Sequence, residues 1–161
     1  MNPFETYDGS KYRKRFFDAV KLYRNSDYEG ALAIFREIVA AADQQDVYRN
    51  KYRSYEGLMR VFLGEKHAVE LCREIAAEDI KDVEVHYNLA LAEYKLNNRR
   101  RAVQAVQRGL SIDAANPELR RLRTVMGMRR EPIFRFLDRD HPLNKWLGKL
   151  TYRKPGKPGL S

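Results

Sequence analysis

Cysteine is nearly absent from this chain: Cys72 stands alone among 161 residues. No internal disulfide can form, and a cysteine-built zinc site is excluded. No apolar run approaches the roughly 20 residues that a membrane span needs. The first residues, Met1 to Tyr7, lack a basic start followed by an apolar stretch. No secretory signal is expected, and a reducing cytoplasm is the expected compartment. There is no Gly-rich phosphate loop, no Gly-x-Ser-x-Gly elbow and no His-Glu-x-x-His pair. His67, His86 and His141 have no metal-ligand spacing to one another. The chain is therefore expected to be non-catalytic, with no metal and no cofactor. Sustained period-two alternation is lacking as well, so strands are not expected.

What is present is charge of one sign, unevenly placed. The net charge is +9. Residues 1–81 hold 14 Lys and Arg against 14 Asp and Glu; residues 82–161 hold 17 against 8. From His141 onward there are five basic residues and no acidic one. Such asymmetry points to an acidic partner, a nucleic acid or an anionic membrane surface, or else to a solvated basic face. Hydrophobic residues still make up 43% of the chain, enough to build a core and to exclude wholesale disorder.

One helical pattern occurs three times. Ala31-Leu32-x-x-Phe35-x-x-Ile38-Val39 returns as Ala68-Val69-x-x-Cys72-x-x-Ile75-Ala76. It returns again as Ala102-Val103-x-x-Val106-x-x-Gly109-Leu110. The leading alanines lie 37 and then 34 residues apart. Apolar or small residues at steps of three and four mark one face of a helix. Each copy follows a second helical stretch and a polar turn: Asn25-Ser26-Asp27, Gly64-Glu65-Lys66 and Asn97-Asn98-Arg99. The spacing predicts helices over 11–25, 28–42, 46–63, 66–77, 83–96 and 99–112. A seventh begins at Pro117, capped by Asn116, and runs to about Met128. Its stripe of Leu119, Leu122, Val125 and Met126 is expected to close the last repeat.

Residues 12–116 resemble the tetratricopeptide repeat family, whose unit is a helical hairpin of about 34 residues. The resemblance rests on Tyr28-Glu29-Gly30-Ala31-x3-Phe35 and on the small residues Ala31, Ala68 and Ala102. Ala19, Glu56 and Ala90 stand at the small place of the three first helices. The resemblance implies an all-α, right-handed solenoid of about three hairpins with a capping helix and a C-terminal extension. The division expected is an arm at 1–11, repeats with their cap at 12–130, an amphipathic extension at 131–153 and a basic tail at 154–161. It further implies an adaptor binding a peptide or protein segment, an acidic one given the charge, on the concave face of the first helices. Arg13, Tyr23, Arg53, Arg60, Tyr87, Asn88, Tyr94 and Lys95 are the residues that this implication selects, with packing between helices as the competing role for the tyrosines.

Two further surfaces stand out. Arg99, Arg100 and Arg101, with Arg108 on the same hairpin, could dock phosphate or an acidic segment, or simply solvate a turn. Leu143, Trp146, Leu147 and Leu150 share one helical stripe opposite Lys145, Lys149 and Arg153. That stripe suits packing within the chain, a partner's groove or an anionic membrane. Pairing of two chains through solenoid edges, giving a homodimer, is also open. His86 and Cys72 fall on packed faces, where a structural role is expected.

Overall fold

The computed structural model describes residues 11–127. The chain divides into two units, 1–127 and 128–161, and the described residues belong to the first. Leu143, Trp146, Leu147 and Leu150, and the expected arm, extension and tail, lie outside the described residues.

Among the described residues seven α-helices follow one another: α1 Arg13–Arg24, α2 Tyr28–Ala41, α3 Arg49–Phe62, α4 Val69–Glu78, α5 Val83–Lys95, α6 Arg99–Ile112 and α7 Pro117–Val125. Asp27 starts α2 by accepting the Gly30 N–H at 2.9 Å. Asp82 does the same for α5, accepting from Glu84 at 2.8 Å and Val85 at 3.3 Å. Asn116 accepts from Leu119 at 3.0 Å, and Pro117 fills the first position of α7. Each side chain satisfies an amide that the helix itself cannot.

The last helix ends at Val125, short of the expected Met128, and two other boundaries differ from the sequence expectation. The third helix begins at Arg49, not at 46, because the Asp46 carboxylate accepts the Tyr48 N–H at 2.8 Å. That bond offers the backbone a local alternative to the helix. The stretch from 66 opens as a 3-10 turn, Lys66–Ala68, before α4.

The hairpins α1–α2, α3–α4 and α5–α6 end their first helices in one and the same turn. Asp27, Glu65 and Asn98 each donate their N–H back to the carbonyl five residues earlier, on Leu22, Arg60 and Glu93, at 3.0, 2.9 and 2.9 Å. The residue just before each donor is left-handed: Ser26 at φ 63°, Gly64 at 98° and Asn97 at 60°. This closure satisfies orphan carbonyls and reverses the chain. Gly127 holds a φ of 61° two residues beyond α7, the same place that Ser26, Gly64 and Asn97 hold after their helices.

Adjacent helices pack in sequence, and α3 also packs directly on α5. Ala31, Phe35, Ala68, Cys72, Ala102 and Val106 are all buried, in line with the repeating pattern. The core under α1, α2 and α3 is aromatic. The Phe16 ring lies 5.4 Å from Tyr55 and 5.8 Å from Phe35, edge to face, while Phe35 stacks on Tyr55 at 5.0 Å. Small residues set the closest approaches. A Cβ on Gly57 would lie 2.8 Å from the Cys72 Sγ, and one on Gly109 would lie 2.6 Å from Leu119. Glu56, by contrast, faces Arg36 at 3.8 Å and Arg60 at 4.0 Å. The small residue where α3 meets α4 is therefore Gly57, one position beyond the residue chosen by the sequence alignment. Leu119, Leu122 and Met126 bury against the preceding hairpin side as expected, but Val125 is 61% exposed. The architecture is an all-α stack of helical hairpins, consistent with a solenoid.

Candidate functional site

The first helices do not merely abut; they share buried polar groups. Lys51 of α3 is buried, and its ammonium lies 3.2 Å from Asp82 and 3.1 Å from Glu84 on α5. Burial alone would lower the lysine's pKa, but the two carboxylates outweigh it and hold the ammonium charged. Glu84 accepts a second, short bond from the Tyr55 hydroxyl. Burial pushes its pKa above the usual carboxylate value, against the pull of Lys51. Between α4 and α5, Arg73 forks onto the buried Glu93 at 2.7 and 3.0 Å, and Asn98 adds a bond at 2.8 Å. The contacts onto Glu93 join α5 to α4 and to the turn before α6.

The Lys51 group is different because Glu84 also faces a cavity of about 300 Å³. Tyr23 of α1, Tyr28 of α2, Tyr55 and Phe62 of α3, and Tyr87 of α5 supply its aromatic wall. Glu118, in the first turn of α7, and Arg24, at the end of α1, add charge at 4.0 Å from each other. Tyr28 stacks on Phe62 with ring centres 4.8 Å apart, which fixes one wall. Burial, then the Glu118 charge, pushes the Tyr23 hydroxyl up to about 12. The Tyr87 hydroxyl is raised as well, first by burial and then by the charges of Tyr23 and Glu118. Tyr55 lies well above 10, by burial and its bond to Glu84. All three hydroxyls stay neutral donors at physiological pH. The chamber thus combines ring faces, phenolic donors and two carboxylates, a set suited to hold a polar or cationic side chain.

The residues selected from sequence scatter around this chamber. Tyr23 and Tyr87 line it. Lys95 lies beside it, its ammonium 5.5 Å from the Phe62 ring centre. Tyr94 is exposed on the same helix. Arg13 is exposed at the start of α1, over the Phe17 ring at 5.8 Å. Arg53 reaches Glu78 of α4 at 3.5 Å, and Arg60 pairs with Glu65 in the hairpin turn. Both arginines are thus directed to the α4 side, away from the residues that line the cavity. Asn88 is fully buried, and its amide donates to Ser54 Oγ at 2.9 Å. Its role in this structure is to join α5 to α3. Its Oδ1 and the Nδ1 of buried His86 have no hydrogen-bond partner among the described residues. Cys72 is buried, and burial pushes its thiol up to about 12, which makes it unreactive.

Arg99, Arg100 and Arg101 are all exposed in the first turn of α6, and Arg108 is exposed two turns on. No acidic residue shares that first turn. Among the described residues no helix is long and apolar enough to cross a membrane.

Sequence reasoning missed Tyr28, Glu84, Arg24 and Glu118 as site residues, and Tyr55 and Phe62 with them. Spacing carried part of the signal. Glu84, Tyr87, Leu91 and Tyr94 follow steps of three and four along α5, so Glu84 shares the face of the two selected tyrosines. Nothing local pointed to Glu118, which reaches the chamber from 31 residues beyond Tyr87. Comparison with known proteins finds no family model that matches the chain and no curated protein with a significant match.

Proposed function

We propose that this chain is a cytoplasmic, non-catalytic adaptor of tetratricopeptide type that binds an extended peptide segment of a partner protein along α1, α3 and α5. The observation that carries the reading is the aromatic chamber of about 300 Å³, built from Tyr23, Tyr55 and Tyr87 on three successive first helices. Tyrosine suits such recognition because it offers a large apolar area with a polar tip at low entropic cost. The identical turns after α1, α3 and α5 support the repeat reading. Tyr87→Ala is expected to weaken peptide binding at least about tenfold, the usual effect of truncating an aromatic anchor. Calorimetry, with circular dichroism to confirm that the variant is folded, checks this. Unchanged affinity in a folded variant rejects the chamber as the binding site.

A second surface is favoured by a separate observation, the exposed Arg99, Arg100 and Arg101 in a helical turn without acidic residues. It suits an acidic segment or a nucleic-acid backbone. Changing the three to Ala would then abolish steeply salt-dependent binding of acidic probes and leave the chamber's peptides bound.

A further inference from the structure

Resting on that peptide-binding reading, we propose that the chamber receives an arginine side chain of the partner, with Glu118 as its carboxylate and the tyrosine rings as its walls. Three features of the site favour a planar cation over an acid. First, Glu118 is the lining carboxylate without a close ion pair: Lys51 holds Glu84 at 3.1 Å, whereas Arg24 stands 4.0 Å from Glu118. An incoming carboxylate would meet Glu118, whereas a guanidinium complements it. Second, the lining is rich in aromatic rings, Tyr23 and Tyr87 among them, and such rings attract cations through their negative π-surfaces. Lys95 already uses the Phe62 ring in this way, at 5.5 Å. Third, Glu118 sits at the rim: its side chain is 48% exposed, and its distance to Arg24, 4.0 Å, exceeds a direct hydrogen bond. It can therefore turn to an incoming fork without losing a tight internal pair. A guanidinium satisfies such a site better than an ammonium, because it can stack on a ring and present parallel N–H donors to a carboxylate together.

The acidic preference expected from the net charge of +9 therefore does not extend to this chamber. The excess positive charge belongs to other surfaces, among them the first turn of α6. One molecule would then present a cation-accepting chamber and a separate basic patch, each with its own partner chemistry.

The test is selection of a random peptide library on the full chain, repeated with Glu118→Gln and Glu118→Lys. Glu118 is half exposed in the first turn of α7, so neither change opens a hole in the core. Peptides selected by the wild-type chain should be enriched in arginine over lysine and over citrulline-substituted copies. Glu118→Gln should weaken them about tenfold, as expected for loss of a charged hydrogen-bond partner. Glu118→Lys should select acidic residues at the same peptide position. Selected peptides without arginine enrichment, or bound equally well by Glu118→Lys, would overturn the arginine assignment and leave the groove reading standing, provided Tyr87→Ala still abolishes them. Peptides that survive Tyr87→Ala, or a library that yields none, would overturn the groove reading and this inference with it.

Discussion

Ser26 holds a backbone conformation that its side chain disfavours. Its φ of 63° lies in the left-handed region, where Gly64 and Gly127 meet no such penalty. Asn97 tolerates the same conformation better than most residues, because its short amide can bond locally. Serine at this place is the weakest of the four. Ser26→Gly is expected to stabilise the α1–α2 hairpin by about 0.5–1 kcal/mol, strain relief set against the larger backbone entropy of glycine in the unfolded chain. Thermal melting of the variant decides it; a lower melting temperature would mean that the Ser26 side chain does more than occupy the turn. Ser26 also lines the chamber, so its peptide binding should be measured beside its stability.

At the scale of elements, the close approach of α3 and α4 depends on Gly57. An added Cβ would lie 2.8 Å from the Cys72 sulfur and 3.4 Å from the Ala68 carbonyl. Two effects oppose each other in Gly57→Ala. Helix propensity favours alanine by about 1 kcal/mol. Overpacking of a tight core costs about 1–3 kcal/mol. Cys72 is fully buried and its thiol has little room to turn, so the second effect should win and the variant should lose about 1–2 kcal/mol by denaturant unfolding. The same element shows where sequence reading works and where it stops. Helix identity and the hairpin turns were readable because caps, polar turns and steps of three and four are local signals. The register of α3 was not. Glu56 and Gly57 are neighbours, and only the contact with Cys72 on another helix tells them apart. The chamber was harder still: Tyr23 and Tyr87 could be selected from their helices, but Glu118 joins them only through the stacking of four hairpin elements. Asn88 shows the converse error, since a polar residue on a first helix looks available until Ser54 is seen to hold it.

For the molecule as a whole, the tyrosines tie stability to alkaline pH. Tyr23 titrates near 12 in the fold against 10.0 for an ordinary phenol, and Tyr55 and Tyr87 are raised too. A folded value above the unfolded one favours the protonated hydroxyl in the fold. The associated stability is complete below about pH 10 and is lost as pH rises through the folded values. Unfolding free energy should thus fall steeply above pH 10. Tyrosine absorbance should show a late-ionising group that appears only with unfolding. Tyr23→Phe should flatten the slope, and a slope unchanged by this variant would assign the effect to other groups.

The junction between the second and third hairpins carries a consequence beyond packing. The Glu84 carboxylate lines the chamber, yet it also receives Lys51 at 3.1 Å and the Tyr55 hydroxyl. A cation seated near Glu84 draws on the same charge that holds α5 to α3. Occupancy of the chamber and cohesion of the stack are then linked functions of one side chain, and thermodynamic linkage makes the influence mutual. On the proposed cation-binding reading, whatever alters the spacing of the second and third hairpins would alter the affinity of the chamber, and its occupant would in turn read as a force on that spacing.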